Sequence, residues 1–90
     1  MIRMRVVLHK QFRKRYQKLA VGEKRRCKEK LRIFVENPFH SLLNNHALGG
    51  EYRGYRSIDI AGDLRALYEP VDVGTAHFIY LGTHSELYSR

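Results

Sequence analysis

The residues that could do chemistry in this 90-residue sequence belong to types that transfer protons or bind phosphate. His46 lies in the segment LLNNHALGG, and His84 lies in the segment LGTHSELY, in which Tyr88 follows four residues later. Asp63 and Arg65 lie between these two segments. Histidine donates or accepts a proton near neutral pH, and arginine binds phosphate through a planar fork of N–H donors. Together these residue types suit acid–base cleavage of RNA.

Such a cleavage places three demands on a protein. One group takes the proton of the 2′-hydroxyl, another protonates the leaving 5′-oxygen, and a cation stabilises the charge of the phosphorane. Histidine suits the first two roles, and Arg56 and Arg65 suit the third. A structural interpretation also stands: the histidines could bond backbone carbonyls in loops, and the two arginines could only pair with Asp59 and Asp63.

Other catalytic classes lack their motifs in this sequence. The five histidines show no paired ligand spacing, and no CxxC, HExxH, Walker or GxSxG pattern is present. Cys27 lies on the apolar stripe of a predicted helix, where a packed thiol is expected rather than a nucleophile. We therefore predict neither a metal nor a cofactor.

Positive charge is concentrated at the N-terminal end of the chain, whose net charge is +8. Residues 1–36 contain thirteen Lys or Arg and three Glu, whereas residues 37–90 contain four Arg and six Asp or Glu. This asymmetry favours a polyanionic partner, of which nucleic acid is the commonest. The alternatives are an acidic protein partner and an ordinary solvated helix face. The residues that we assign to RNA binding are Arg13, Lys14, Arg25 and Arg53.

The N-terminal part of the chain predicts one strand and two helices. Residues 3–8 form the strand, because two of them are β-branched valines. The first helix begins near His9, and Val21-Gly22 is predicted to end it, since glycine readily adopts the C-cap conformation. The second helix spans residues 23–36, and Asn37-Pro38 ends it. The apolar stripes of the two helices comprise Phe12, Tyr16, Leu19, Cys27, Leu31, Phe34 and Val35.

The C-terminal part of the chain predicts three strands. Alternating β-prone residues indicate strands at 52–60, 63–68 and 75–82. Ala61-Gly62 and residues 69–74 supply the two turns. The whole sequence, residues 1–90, is thus predicted to form a single α+β domain of order β-αα-βββ. In this domain an N-terminal αα-hairpin packs on a small antiparallel sheet.

The location of the protein is predicted from its apolar segments and its cysteine content. The apolar run near the N-terminus, Val6-Val7-Leu8, is too short for a secretory signal. No segment approaches the roughly 20 apolar residues that a membrane span requires. A single cysteine cannot form an intrachain disulfide, which is consistent with a reducing cytosol. We expect a cytoplasmic protein that makes no membrane contact.

Five sequence elements, in order, resemble the RelE/ParE toxin superfamily, and within it the YafQ-like mRNA interferase branch. They read FRKRYQKL, FVENP, HALGGEYRGYRS, GDLRALY and GTHSELY, and they extend over nearly all ninety residues. The resemblance implies a ribosome-dependent endoribonuclease that cuts mRNA in the ribosomal A site and is silenced by a co-expressed antitoxin. The partners that it implies are therefore mRNA, the ribosome with its RNA, and an antitoxin protein.

The resemblance also implies roles for particular residues. YafQ-like enzymes place catalytic residues at four positions, which here are His46, Asp63, His84 and Tyr88. RelE-like members rely instead on basic residues of the hairpin, which Arg56 and Arg65 match, and on the terminal tyrosine. One departure concerns a further catalytic histidine on the hairpin strand of YafQ, where this sequence has Asp59. Which histidine is the acid and which is the base stays open.

Two other functions remain alternatives at this point. A ParE-like toxin shares the fold but inhibits DNA gyrase by binding and is not an enzyme, and a shared fold does not establish a shared function. An inactive relative that only binds an antitoxin is the second alternative, and the Asp59 departure keeps it open. The presence of His46, Asp63, His84 and Tyr88 favours the enzyme.

Overall fold

The computed structural model describes residues 3–88, which form one mixed sheet, three α-helices and two short 3-10 turns. The elements follow the order β1 (Arg5–Leu8), α1 (Lys10–Gln17), α2 (Val21–Glu36), a 3-10 turn (Ser41–Leu43), β2 (His46–Ala47), a second 3-10 turn (Gly50–Tyr52), β3 (Arg56–Ala61), β4 (Leu64–Asp72), β5 (Thr75–Thr83) and α3 (His84–Tyr88). None of the helices formed by residues 3–88 has the length and apolar content to cross a bilayer.

The five strands lie in the order β1-β5-β4-β3-β2. The pairs β2–β3, β3–β4 and β4–β5 are antiparallel, whereas β1 pairs parallel with β5. The predicted α+β class and the β-αα-βββ order are confirmed, and the structure adds β2 and α3. The prediction of an antiparallel sheet is wrong for β1, which pairs parallel with β5 and makes the sheet mixed. The direction of β1 is free because β1 reaches β5 through the rest of the chain and no hairpin turn constrains it.

The boundary between the two helices differs from the prediction. α1 ends at Gln17, and Val21 opens α2 instead of ending α1. The reason is local: the Glu23 carboxylate accepts a hydrogen bond of 3.0 Å from the Ala20 N–H, which is half of a capping box. A negative side chain in the first turn also interacts favourably with the helix dipole.

The strands also differ from the prediction. The strand predicted over residues 52–60 begins only at Arg56, because Gly54 has a φ of +94° that interrupts the extended chain. β4 continues to Asp72, beyond the predicted end at residue 68. Pro70 is tolerated there because the pairing of β4 with β3 ends at Tyr68. Beyond Tyr68 the β3 side of β4 is a free edge, which needs no N–H donor. β2 is an additional edge strand of two residues.

The core lies between the two long helices and one face of the sheet. Phe12, Cys27 and Phe34 are all buried, and Tyr16, Leu19 and Leu31 pack against the core. The predicted apolar stripes are therefore confirmed except at Val35, since it is Ile33 that packs against the core in α2. The Phe34 ring lies edge-on to Tyr68 and Phe78, with ring centroids 4.9 and 5.1 Å apart. These aromatic contacts join α2 to the two central strands.

The opposite face of the sheet, which we call the open face, holds the residues of chemical interest. Cross-strand partners point to the same face, and the register pairs Asp59 with Arg65 and Leu67 with both Ser57 and Tyr80. None of these five residues belongs to the core cluster under α1 and α2. α3 packs against β5.

Candidate active site

His84, Tyr88 and Arg65 come together at the end of the open face. We call these three candidate residues the active-site cluster. α3 places His84 and Tyr88 four residues apart, which brings their rings to a centroid distance of 4.7 Å. Burial raises the pKa of the Tyr88 phenol, and the nearby positive charge of Arg65 opposes that shift. Tyr88 therefore stays protonated at neutral pH and can donate a hydrogen bond.

Arg65 is held in one orientation by two contacts. Its Nε lies 3.2 Å from Oδ1 of Asp59, its cross-strand partner, and its Nη1 donates a hydrogen bond of 2.9 Å to the Gly62 carbonyl. The Asp59 oxygen is inaccessible to water and has no hydrogen bond within residues 3–88, so its contact with Arg65 is a charge interaction of poor hydrogen-bond geometry. The other guanidinium donors remain for an anion.

A group of tyrosines, which the sequence interpretation did not identify, lies beside the active-site cluster. The Tyr52 ring lies edge-on to Tyr55, Tyr80 and Tyr88, at centroid distances of 6.3, 5.6 and 5.3 Å. The Tyr52 hydroxyl also donates a hydrogen bond of 2.6 Å to the Leu87 carbonyl in α3. The sequence showed only that several tyrosines lie near the hairpin. Their rings come into contact because the sheet and α3 bring distant parts of the chain together.

His46 lies on the same face but not in the cluster. It pairs with Ser57 at the β2 edge, so its exposed side chain points to the open face. Its Nδ1 lies 2.8 Å from the Asn44 carbonyl, which is the loop contact that the structural interpretation anticipated. The register His46–Ser57–Leu67–Tyr80 places His46 three strand intervals, on the order of 14 Å, from Tyr80 of β5, and His84 follows four residues after Tyr80. The two histidines are not in contact.

Arg56 and Asp63 occupy different environments from the active-site cluster. Arg56 alternates with the buried Ile58 and Ile60 and faces the helices, where its Nε donates a hydrogen bond of 2.8 Å to Asn45 Oδ1. Asp63 is exposed in the turn between β3 and β4, and its backbone carbonyl accepts a hydrogen bond of 3.2 Å from the His84 N–H. The Asp63 backbone thus anchors the start of α3.

The residues assigned to RNA binding are exposed but dispersed. Arg13 and Lys14 lie on α1, Arg25 lies on α2, and Arg53 follows the second 3-10 turn. The two helices cover the face opposite the active-site cluster. Within residues 3–88, no group of three or more His, Cys, Asp or Glu side chains is arranged to hold a metal ion.

Comparison with known proteins identifies the family. Residues 4–89 match the family model described as bacterial toxin of type II toxin-antitoxin system, YafQ. A comparison with curated proteins gave no significant match.

Solved structures share the fold of this chain. YafQ from Escherichia coli BL21(DE3) is 22% identical and gives a TM-score of 0.74 over 96% of this chain and 99% of that chain. A YoeB/ParE toxin from Agrobacterium tumefaciens is 21% identical, with a TM-score of 0.74 over 90% and 99%. A chain of the E. coli DinJ-YafQ toxin-antitoxin complex is 22% identical, with a TM-score of 0.72 over 98% and 100%. With its family pattern matched over residues 4–89, this chain belongs to the YafQ family of type II toxin–antitoxin toxins.

Proposed function

We propose that this toxin is an mRNA endonuclease that acts on ribosome-bound mRNA in the cytoplasm. The observation that carries the proposal is the convergence of Arg65, His84 and Tyr88 at one end of the open face. These groups supply a proton-transfer side chain, a protonated hydroxyl and a fixed positive charge within one small surface. That combination is what transesterification of RNA requires.

The proposed chemistry is attack of a 2′-oxygen on its own 3′-phosphate. The 2′-hydroxyl proton passes to His84 as the new O–P bond forms, and the P–O5′ bond then breaks. The Tyr88 hydroxyl gives its proton to the leaving 5′-oxygen, and Arg65 stabilises the negative charge of the phosphorane. The products are a 2′,3′-cyclic phosphate and a 5′-hydroxyl. A later proton transfer between His84 and Tyr88, through solvent, restores the site.

The remaining site residues take supporting roles in this proposal. His46 lies too far along the open face from His84 to share the same proton, so it contacts the RNA at a neighbouring nucleotide. Asp59 orients Arg65, and Asp63 fixes the start of α3 through its carbonyl. Arg56 supports the loop through Asn45, on the far side of the sheet.

Two macromolecular partners follow from the proposed function. The exposed Arg13, Lys14, Arg25 and Arg53 bind phosphates of ribosomal RNA, for which shape and charge matter more than base sequence. An antitoxin binds and silences the toxin. The solved toxin-antitoxin complex of DinJ with YafQ supports this proposal, because YafQ has the same fold as this chain.

Single-turnover cleavage of mRNA on purified ribosomes tests the catalytic assignment. We expect His84→Ala to slow cleavage by roughly 10²–10⁴-fold, because it removes a proton-transfer group. Arg65→Ala should slow it by about 10²–10³-fold, the usual effect of removing one stabilising donor. Ribosome affinity should change little in either variant, because these groups act in the transition state. His77→Ala, at the other end of β5, is the matched histidine control.

His46→Ala separates the two possible roles of the second histidine. If His46 binds a neighbouring nucleotide, the half-saturating ribosome concentration should rise while the maximal rate changes by less than about tenfold.

The products and the refuting results are also defined. The upstream product of cleavage by the wild-type protein should end in a 2′,3′-cyclic phosphate. Wild-type rates in His84→Ala would refute the assignment. A protein that cut no RNA on ribosomes but blocked gyrase-dependent supercoiling would instead be a ParE-like inhibitor.

A further inference from the structure

α3 carries two residues of the active-site cluster, yet within the described part of the chain it spans only the five residues His84–Tyr88. A helix of this length is not stable in water by itself, because nucleation costs more than one turn of hydrogen bonds returns. The orientation of His84 and Tyr88 must therefore come from contacts between α3 and the rest of the protein. The contacts of Glu86, a residue that the proposed chemistry does not use, supply much of this support.

Both carboxylate oxygens of Glu86 are engaged. Oε1 accepts a hydrogen bond of 2.8 Å from the Thr83 N–H, and the Thr83 hydroxyl accepts one of 3.2 Å from the Glu86 N–H. This reciprocal pair is a capping box at the start of α3. Oε2 lies 2.6 Å from Nη2 of Arg15. The Thr83 N–H and Arg15 together lower the pKa of Glu86, so the carboxylate is ionised at neutral pH.

Arg15 joins three elements of the fold. It lies on α1, its Nε donates a hydrogen bond of 3.1 Å to the Leu81 carbonyl near the end of β5, and its Nη2 binds Glu86 on α3. Its neighbours Arg13 and Lys14 are exposed, whereas Arg15 is half-buried. Arg15 is thus the member of the basic segment of α1 that points toward the active-site cluster.

Gly82 makes this arrangement possible. A Cβ atom at residue 82 would lie 3.2 Å from Oε1 of Glu86, which is tighter than nine in ten such contacts, and 3.4 Å from its Cβ, which is ordinary van der Waals contact. A larger residue at this position would therefore crowd the Glu86 carboxylate that caps α3. Gly82, Thr83 and Glu86 of the motif GTHSELY accordingly form one support for α3.

We infer that Arg15 and Glu86 are positioning residues that hold α3 so that His84 and Tyr88 face Arg65. The inference rests on the proposed function for its catalytic readout. The Arg15–Glu86 pair is less exposed than Arg3 with Glu36, an ordinary surface ion pair at 3.2 Å. An isolated surface ion pair contributes little to stability. The Arg15–Glu86 contact is joined to two further hydrogen bonds on the backbone of β5.

The test compares Glu86→Gln and Arg15→Ala with Arg3→Ala, which also breaks one ion pair but lies far from α3. We expect the first two variants to lower the maximal single-turnover rate by roughly 10–100-fold, because a displacement of about 1 Å costs on this scale. The half-saturating ribosome concentration should stay unchanged. Arg15→Lys retains the charge but can replace only one of the two arginine contacts, so it should recover part of the rate that Arg15→Ala loses. Gly82→Ala, which crowds the Glu86 carboxylate, should lower the rate less than Glu86→Gln does.

A readout without RNA keeps this inference separate from the proposed function. Hydrogen exchange of the α3 amides should accelerate by at least about tenfold in Glu86→Gln, whereas the urea midpoint should fall no further than in Arg3→Ala. The ring-to-ring nuclear Overhauser effects between His84 and Tyr88 should weaken in parallel. Exchange and cleavage rates that match those of Arg3→Ala would overturn the inference. Losses explained entirely by a lower urea midpoint, or no recovery in Arg15→Lys, would also overturn it.

Discussion

Truncating Phe34 provides a quantitative test of how α2 packs on the sheet. The side chain is fully buried, and its ring contacts Tyr68 on β4 and Phe78 on β5. Phe34→Ala removes the ring and leaves a cavity between a helix and two strands, where the backbone of neither layer can easily collapse into the gap. We therefore expect one of the larger destabilisations available in this chain.

The magnitude follows from the burial and the ring contacts. Full truncation of a buried phenylalanine costs about 3–5 kcal/mol. Two edge-on aromatic pairs, each worth about 0.5–1.5 kcal/mol, place the expected value in the upper part of that range. A domain of this size has a total stability of roughly 5–13 kcal/mol. At about 4–8 °C per kcal/mol, a loss of about 4–5 kcal/mol should lower the melting temperature by roughly 16–40 °C.

Urea denaturation followed by circular dichroism measures the destabilisation, and Phe39→Ala is the matched control. Phe39 is 65% exposed, and its ring lies 5.2 Å from the Arg56 guanidinium. Its truncation should cost less than about 1 kcal/mol, since it removes little more than an exposed cation–π interaction. An equal cost for Phe34→Ala and Phe39→Ala would refute the packing of α2 described above.

Two further predictions concern charge and titration. Replacing Arg13, Lys14 and Arg25 with Glu should weaken ribosome binding, with the circular dichroism spectrum unchanged. The slope of the logarithm of the binding constant against the logarithm of salt concentration should become shallower by about 1 for each phosphate that the protein no longer neutralises. Unchanged binding would mean that these side chains are only solvated. Burial raises the pKa of the Cys27 thiol from 9.0 to about 11, so the native thiol stays neutral where the unfolded one ionises. Relative to Cys27→Ala, wild-type stability should therefore fall as pH rises from about 9 to 11, and disulfide reagents at a pH of about 8 should label the native thiol slowly; rapid labelling of the native protein would contradict this burial.

Local patterns in the sequence determined most of the secondary structure and the helix faces. Helical spacing identified Phe12, Cys27 and Phe34 as packing residues, because amphipathic periodicity records which side of a helix meets the core. Alternation along a strand also places Arg56 on the same side of β3 as the buried Ile58 and Ile60. The errors included element boundaries. The Glu23 side chain, which accepts a hydrogen bond from the Ala20 N–H, sets the start of α2, and the positive φ of Gly54 delays the start of β3.

The family pattern in the sequence identified the candidate site residues, but only the tertiary structure decided which of them meet. Arg65, His84 and Tyr88 converge because β4 lies beside β5, whereas His46 lies at the far edge because β2 pairs only with β3.

The support of α3 also comes from the tertiary structure. Arg15 and Glu86 lie in different helices at opposite ends of the chain, and no local periodicity relates them. Strand order and the parallel pairing of β1 with β5 bring α1 against the end of β5. Contacts between residues so far apart in the sequence form only when the whole sheet packs, and short-range spacing in a sequence carries no information about them.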